Sequence, residues 1–250
     1  MLIDANMMLG GTYMLPHGIS ESHASLVLQY YGIGQAIVYH AEARNYDVIS
    51  GNRRLIDFTN AHKDFLPCLV LSPGYKSQTG SFDNAAQMIK ENYIKFIRIF
   101  PSVHGYAFES GLTDELFCFA EENKVVMMLD MQETFSYDGH PAKYFEELCR
   151  KHAGLPVILT RCVHRKKYSI GYYLENLSNV YIDPSIMNNW LFYEETVMKY
   201  GSERLVWGSS MPFNNAGCSV SMLAYADISS EDRKRISGQN ILDLLQREKQ

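Results

Sequence analysis

The sequence has no CxxC pair, no GxGxxG run, no long apolar stretch and no sustained basic segment. Each absence removes a class of protein. Five cysteines (Cys68, Cys118, Cys149, Cys162 and Cys218) are an odd number without paired spacing. They do not read as a disulfide framework, and free thiols suit a reducing compartment. No unbroken apolar run is longer than Val125–Leu129, which is far too short to span a bilayer. The opening Met1-Leu2-Ile3-Asp4 lacks the basic and apolar regions of a secretory leader. We therefore expect a cytoplasmic protein with no membrane partner. The net charge is −5, and the one basic cluster (Arg161, Arg165, Lys166, Lys167) is short. That balance argues against a nucleic-acid partner. The segment "MLGGTY" after the first apolar run does not spell a dinucleotide fingerprint, so no cofactor is expected.

What is present is a regular alternation. The chain has 250 residues, 46% hydrophobic and 20% charged, enough for one sizeable core. Short apolar runs at 2–5, 36–39, 65–71, 96–100, 125–129, 156–159, 180–182 and 205–207 lack clean polar alternation. Strands buried on both faces of a parallel sheet have this pattern. Amphipathic segments lie between them, at 22–31, 83–92, 114–123, 142–152, 188–200 and 230–245. Ser20 and Thr113 are candidate N-caps for the first and third of these. No linker or repeat interrupts the series. Eight apolar runs alternating with amphipathic segments in this length predict an α/β fold, a (β/α)8 TIM barrel forming one domain over residues 1–250.

In such a barrel the functional groups sit at the C-terminal ends of the strands. Those ends carry Asn6 and Met8, His40, Arg98, Asp130, Arg161 with Cys162, Asp183, and Ser209-Ser210. Asp130 is a candidate general base, and His40 a candidate proton-transfer group. Arg98 lies among apolar strand residues in "KFIRIF", where an unpaired charge costs several kcal/mol, roughly. It is either a salt-bridge partner of Asp130 or Asp183 or an anion clamp, since a guanidinium suits bidentate carboxylates and phosphates. Asn6 needs hydrogen-bond partners if buried. Cys162 with His164 is a weak thiol-nucleophile pair, because alternate residues on an extended chain diverge. Ser209-Ser210 lacks the Gly-x-Ser-x-Gly context of a nucleophile elbow.

The opening Ile3-Asp4-Ala5-Asn6-Met7-Met8 and the closing Arg204-Leu205-Val206-Trp207-Gly208-Ser209-Ser210-Met211-Pro212 carry a family resemblance. So do "NVYIDPS" (179–185) and "SSEDRKRISGQNILDLL" (229–245). The chain resembles the amidohydrolase-related family, in the branch that includes decarboxylases and lactonases. Members open with Ile-Asp-x-His-x-His and close with a segment such as Arg-Leu-Leu-Trp-Gly-Ser-Asp-Trp-Pro. The resemblance implies a metal-dependent hydrolase or lyase barrel acting on a small carboxylated molecule. It also places Asn6 and Met8 where two histidine ligands stand and Ser210 where the aspartate stands. Arg161 falls near the sixth-strand histidine, and Leu129 or Asp130 near the fifth-strand ligand.

Asn, Met, Ser and Arg are poor ligands for a hard or borderline divalent ion. We therefore expect no metal at the inherited positions. The expected ligand is a small anion, with Asn6, Arg98, Arg161 and Ser210 as substrate-binding residues and Asp130 and His40 as catalytic ones. Three readings stand at this point: metal-independent lactone or ester hydrolysis, a non-catalytic binding protein, and a metal enzyme with relocated ligands.

Overall fold

The computed structural model describes residues 1–13, 15–135 and 140–246. Seven parallel strands follow one another in chain order: β1 (Ile3–Leu9), β2 (Gln35–His40), β3 (Phe65–Leu71), β4 (Phe96–Ile99), β5 (Val126–Asp130), β6 (Val157–Thr160) and β7 (Val180–Ile182). Each is β-branched or otherwise apolar and almost wholly buried, as a sheet covered on both faces requires. The sheet curls through 225°. Its concave face holds Ile3, Ile37, Cys68, Phe96, Val126 and Ile158, while alternate residues such as Val38, Leu69, Ile97, Met127 and Leu159 pack outward against the helices. The period of two along each strand separates the two cores.

The expected eighth strand is not a strand, although its residues bridge the gap between the sheet edges. On one side Val206 N donates to the Ile182 carbonyl at 2.9 Å and Ile182 N to the Arg204 carbonyl at 2.9 Å. On the other, Ala5 N donates to Trp207 O at 2.9 Å and Met8 N to Met211 O at 2.8 Å. Between these bonds the ladder breaks for local reasons. Ser209 N–H goes to the Asp4 carboxylate at 2.8 Å, and Met211 N–H goes to Ser209 Oγ at 3.0 Å. Ser210 takes a left-handed backbone, φ 58°. Strand pairing needs those N–H groups, and side chains have captured them.

Strand boundaries lie within a few residues of those expected. The helices differ more. Helices at Val48–Ala61, Pro73–Thr79, Lys167–Asn176 and Ala216–Tyr225 are additional, and the helix expected at 188–200 begins at Phe192. Thr113 is not an N-cap. The helix Gly111–Glu122 starts after Ser110, and Thr113 is buried inside its first turn with its hydroxyl unpartnered among the described residues. Ser20 does precede the helix Glu21–Tyr31, but its hydroxyl faces His23 Nδ1 at 2.8 Å instead of a backbone N–H. The last amphipathic segment is kinked at Gly238. A side chain there would meet the Met1 carbonyl at 2.8 Å, so the helix bends where β1 passes.

Candidate functional site

A polar layer closes the concave core at the C-terminal strand ends, and a local irregularity in β1 helps to build it. Asp4 pairs with Ala36 and Met7 with Val38, so three steps on β1 face two on β2. This extra residue reverses the in–out phase: Ile3 and Ala5 face inward, then Met8 does, while Met7 and Leu9 face out. Asn6 sits at the reversal and turns its amide into the layer.

Arg98 is the centre of that layer. It follows Phe96 on the inward face of β4 and is fully buried. Its Nη1 donates to Asn6 Oδ1 at 2.6 Å. Its Nη2 donates to Thr160 Oγ1 at 2.7 Å and lies 3.4 Å from Asp130 Oδ2. The guanidinium stands 4.5 Å from the Tyr39 ring centroid and 5.0 Å from that of Phe100. The partner among the expected carboxylates is therefore Asp130. Asn6 completes the link, donating from Nδ2 to Asp183 Oδ2 at 3.1 Å. Both ends of the Asn6 amide are thus occupied by protein groups.

Asp130 is held by four donors. Oδ1 accepts from Gln132 N at 3.0 Å and Glu133 N at 3.2 Å, capping the short helix Met131–Thr134. Oδ2 accepts from Arg161 Nη1 at 3.0 Å as well as facing Arg98. Asp183 Oδ2 accepts from Ser185 Oγ and from Arg161 N, besides Asn6. Burial pushes the Asp183 carboxyl up to about 6, and burial also raises Asp4. Asp4 Oδ2 and Ser210 Oγ are buried without a partner among the described residues.

Arg161 differs from Arg98 in being partly open, with 16% of its side chain exposed. Its guanidinium lies 4.8 Å from the Phe213 centroid, and that of Arg44 lies 5.6 Å from the same ring. Arg44 pairs with Glu133. The Nε–H groups of Arg161 and Arg44 both lack an acceptor among the described residues. Burial first, and then the Asp130 charge, raise the Glu133 carboxyl. Glu133 also lines a cavity of about 300 Å³ with Tyr106, Phe108, Thr134 and Pro141. A second cavity of about 240 Å³, bounded by Lys95, Lys124 and Pro156, lies at the opposite ends of the strands and away from this chemistry.

Four of the expected site residues, Asn6, Arg98, Asp130 and Arg161, thus form one connected network. Ser210 is not bonded into it: the neighbouring Ser209 hydroxyl donates to the Asn6 carbonyl at 3.4 Å, while the buried Ser210 hydroxyl has no partner among the described residues. His40 does not join it. Ile37 and Tyr39 occupy the inner face of β2, so His40 turns outward. There Nδ1 accepts from Glu42 N at 3.2 Å and Nε2 lies 3.5 Å from Glu21. Burial, with Arg54 nearby, lowers its pKa. Cys162 is buried and donates to the Leu159 carbonyl at 3.4 Å, with its thiol pKa raised well up by burial. That is the opposite of an activated nucleophile. Arg44, Glu133 and Phe213 lie beyond the strand ends and were not among the expected residues.

The family model described as Amidohydrolase matches residues 13–247. No curated protein matches the sequence. Among solved structures, the chain is similar to 2,6-dihydroxybenzoate decarboxylase complexed with 2,6-dihydroxybenzoate, with 13% identity, 99% of each chain covered and a TM-score of 0.76. It is similar to a dihydroxybenzoic acid decarboxylase from Polaromonas sp. JS666 with bound manganese and the inhibitor 2-nitroresorcinol, with 14% identity, 98% and 96% coverage and a TM-score of 0.75. A third is 5-carboxyvanillate decarboxylase from Sphingomonas paucimobilis, with 10% identity, 98% of each chain covered and a TM-score of 0.74. At such identities the likeness is one of fold.

Proposed function

The chain belongs to the amidohydrolase family, and on that premise we propose that it binds a small carboxylated molecule at the C-terminal strand ends without a divalent metal. We read the fold as a single-domain (β/α)8 barrel whose eighth stave is the bridging segment 204–211. The substrate class follows the similar decarboxylases of dihydroxybenzoate and 5-carboxyvanillate. The metal that one of them holds is a poor fit to this chain's residues.

The observation that carries this reading is the bond from Arg98 Nη1 to Asn6 Oδ1 at 2.6 Å. Asn6 stands in a ligand position, and its one metal-binding atom faces a fixed cation. A dication on the same oxygen would lie within about 5 Å of that nitrogen. Repulsion there is roughly 7 kcal/mol at an effective dielectric of about 20. Met8 offers a thioether within the apolar inner core, and Ser210 a neutral hydroxyl. Neither is an imidazole or a carboxylate, the ligand types that manganese and zinc take.

Arg161 and Arg44 suit the carboxylate. Each holds a guanidinium against Phe213 and keeps part of its side chain exposed, 16% for Arg161 and 13% for Arg44. An aromatic carboxylate supplies both a charge-assisted acceptor and a ring face. The cavity lined by Glu133, the ion-pair partner of Arg44, lies on the Arg44 side of this pair. Binding is favoured over lactone or ester hydrolysis because Asp130 is engaged by four donors and His40 faces away from it. A free general base within reach of a ligand is therefore missing from this reading.

Calorimetry with a panel of benzoate-type carboxylates tests the proposal. Arg161→Met should weaken binding of the best ligand by about 2–5 kcal/mol. Unchanged affinity with intact folding would remove Arg161 from the site.

A further inference from the structure

A separate group of side chains lies in the outer helical layer. Asp114 and Cys118 are four residues apart on the helix Gly111–Glu122, and so share one face. His152 follows the helix Pro141–Lys151 and is buried to 3% exposure. One ligand atom from each of the three lies within 4.8 Å of the others. His152 Nε2 is already 3.4 Å from Asp114 Oδ1. On the far side of the ring, Nδ1 lies 2.7 Å from Glu121 Oε2.

From this arrangement we propose that Asp114, Cys118 and His152 form a zinc-class metal site that ties these two helices together, with Glu121 as the positioning residue for the histidine. The proposal is independent of the carboxylate site, sharing no residue with it. Tetrahedral zinc holds its ligands about 2.0–2.3 Å away, so they stand about 3.3–3.7 Å apart. Closing the triad therefore takes movements of about 1 Å, within reach of side-chain rotation. One thiolate, one imidazole and one carboxylate select zinc or cobalt over magnesium or calcium, which prefer all-oxygen sets. The Glu121 carboxylate accepts a hydrogen bond from Nδ1–H, which keeps the ring proton there and leaves the Nε2 lone pair facing the other two ligands. As the sulfur–metal bond forms, the Cys118 thiol proton leaves to solvent. A water completes the coordination.

Lys151 opposes the ion. Its Nζ sits 2.6 and 2.7 Å from the two Asp114 oxygens. With 56% of its side chain exposed, it can swing into solvent when the metal enters. The competition makes the site weaker than a closed four-ligand zinc site. It also supplies a variant that should bind better. A purely structural ion-pair network of Lys151, Asp114, His152 and Glu121 has no use for the thiol of Cys118, and this distinguishes the two accounts.

The test uses the full, untagged chain. Cobalt(II) titration should give a near-ultraviolet sulfur-to-cobalt band that saturates at about one ion per chain. Cys118→Ser should abolish the band and weaken zinc, measured by chelator competition, at least 10-fold. Glu121→Gln should weaken zinc about 10- to 100-fold, and Lys151→Met should tighten it. Cys118 is half-buried on a helix surface, so the serine variant should fold, and Asp114→Asn gives a second reading. A wild-type protein without the cobalt band would overturn the proposal. So would a zinc affinity unchanged in both Cys118→Ser and Asp114→Asn.

Discussion

Replacing Arg98 by methionine keeps much of the aliphatic stem and removes the charge. The guanidinium is fully buried, bonded to Asn6 at 2.6 Å and Thr160 at 2.7 Å, and 3.4 Å from Asp130. Its loss leaves Asn6 Oδ1 without a donor in a dry site, a cost of about 1–3 kcal/mol. It also removes one of two cations from Asp130 and the charge over Tyr39, the latter being about 1–2 kcal/mol when desolvated. Arg161 and two backbone amides remain on Asp130, which limits the damage. The total is about 3–5 kcal/mol, the usual cost of breaking a buried pair from one side. With an m-value near 3 kcal/mol/M in urea, the unfolding midpoint should fall by about 1–2 M. Arg98→Lys should recover only part, since an ammonium cannot serve Asn6 and Thr160 as a fixed fork. Equilibrium urea unfolding followed by both fluorescence and circular dichroism reads the change. A loss under about 1 kcal/mol would refute the view that Arg98 is the internal cation on which the polar layer is built.

Asp183 gives a pH signature. Its folded pKa is raised from 3.8 to about 6, so its contribution is fully present below about pH 3.8 and is lost as pH rises through 6. The wild-type minus Asp183→Asn stability difference should change by about 3 kcal/mol across that window; a flat difference would contradict the burial argument. Combining Asn6→His, Met8→His and Ser210→Asp should give little manganese uptake while Arg98 remains. Adding Arg98→Met should increase it, as elemental analysis would show. His40→Gln should leave carboxylate affinity within about twofold by calorimetry, since its neighbours are Glu21 and Glu42. A larger loss would place His40 in the site after all.

Much of this architecture is legible in the sequence because strand burial writes itself as apolar runs. Six strands start and end within one residue of those runs, yet β1 extends to Leu9, past the polar Asn6 that ordinarily ends such a run. The bulge that accommodates Asn6 is a pairing property, visible only against β2. The eighth position failed as a strand because Asp4 and Ser209 capture N–H groups, a contact spanning 205 residues of sequence. The helix Ala216–Tyr225 was hidden by Gly217, Ser219 and Ser221, residues of modest helix propensity that tertiary contacts override. At the site, the strand-end rule selects Asn6, Arg98, Asp130 and Arg161, which the fold joins through hydrogen bonds. It also admitted His40, although alternation from Tyr39 assigns that side chain to the outer face. Arg44 and Glu133 sit in short helices after β2 and β5, past the strand ends where the rule looks. Phe213 follows the bridging segment, and nothing in its neighbours marks it as the ring between two guanidinium groups.

The central claim is that this amidohydrolase-family protein holds a carboxylate ligand through arginine and without a metal at the C-terminal strand ends. Calorimetric titration with 2,6-dihydroxybenzoate, run on the Cys118→Ser protein so that the outer helical site contributes nothing, tests it most directly. The titration is made once in chelator and once with added manganese. The account predicts the same affinity in both, with binding weakened by about 2–5 kcal/mol in Arg161→Met. Binding that appears only with manganese, accompanied by about one manganese ion per chain, would contradict it.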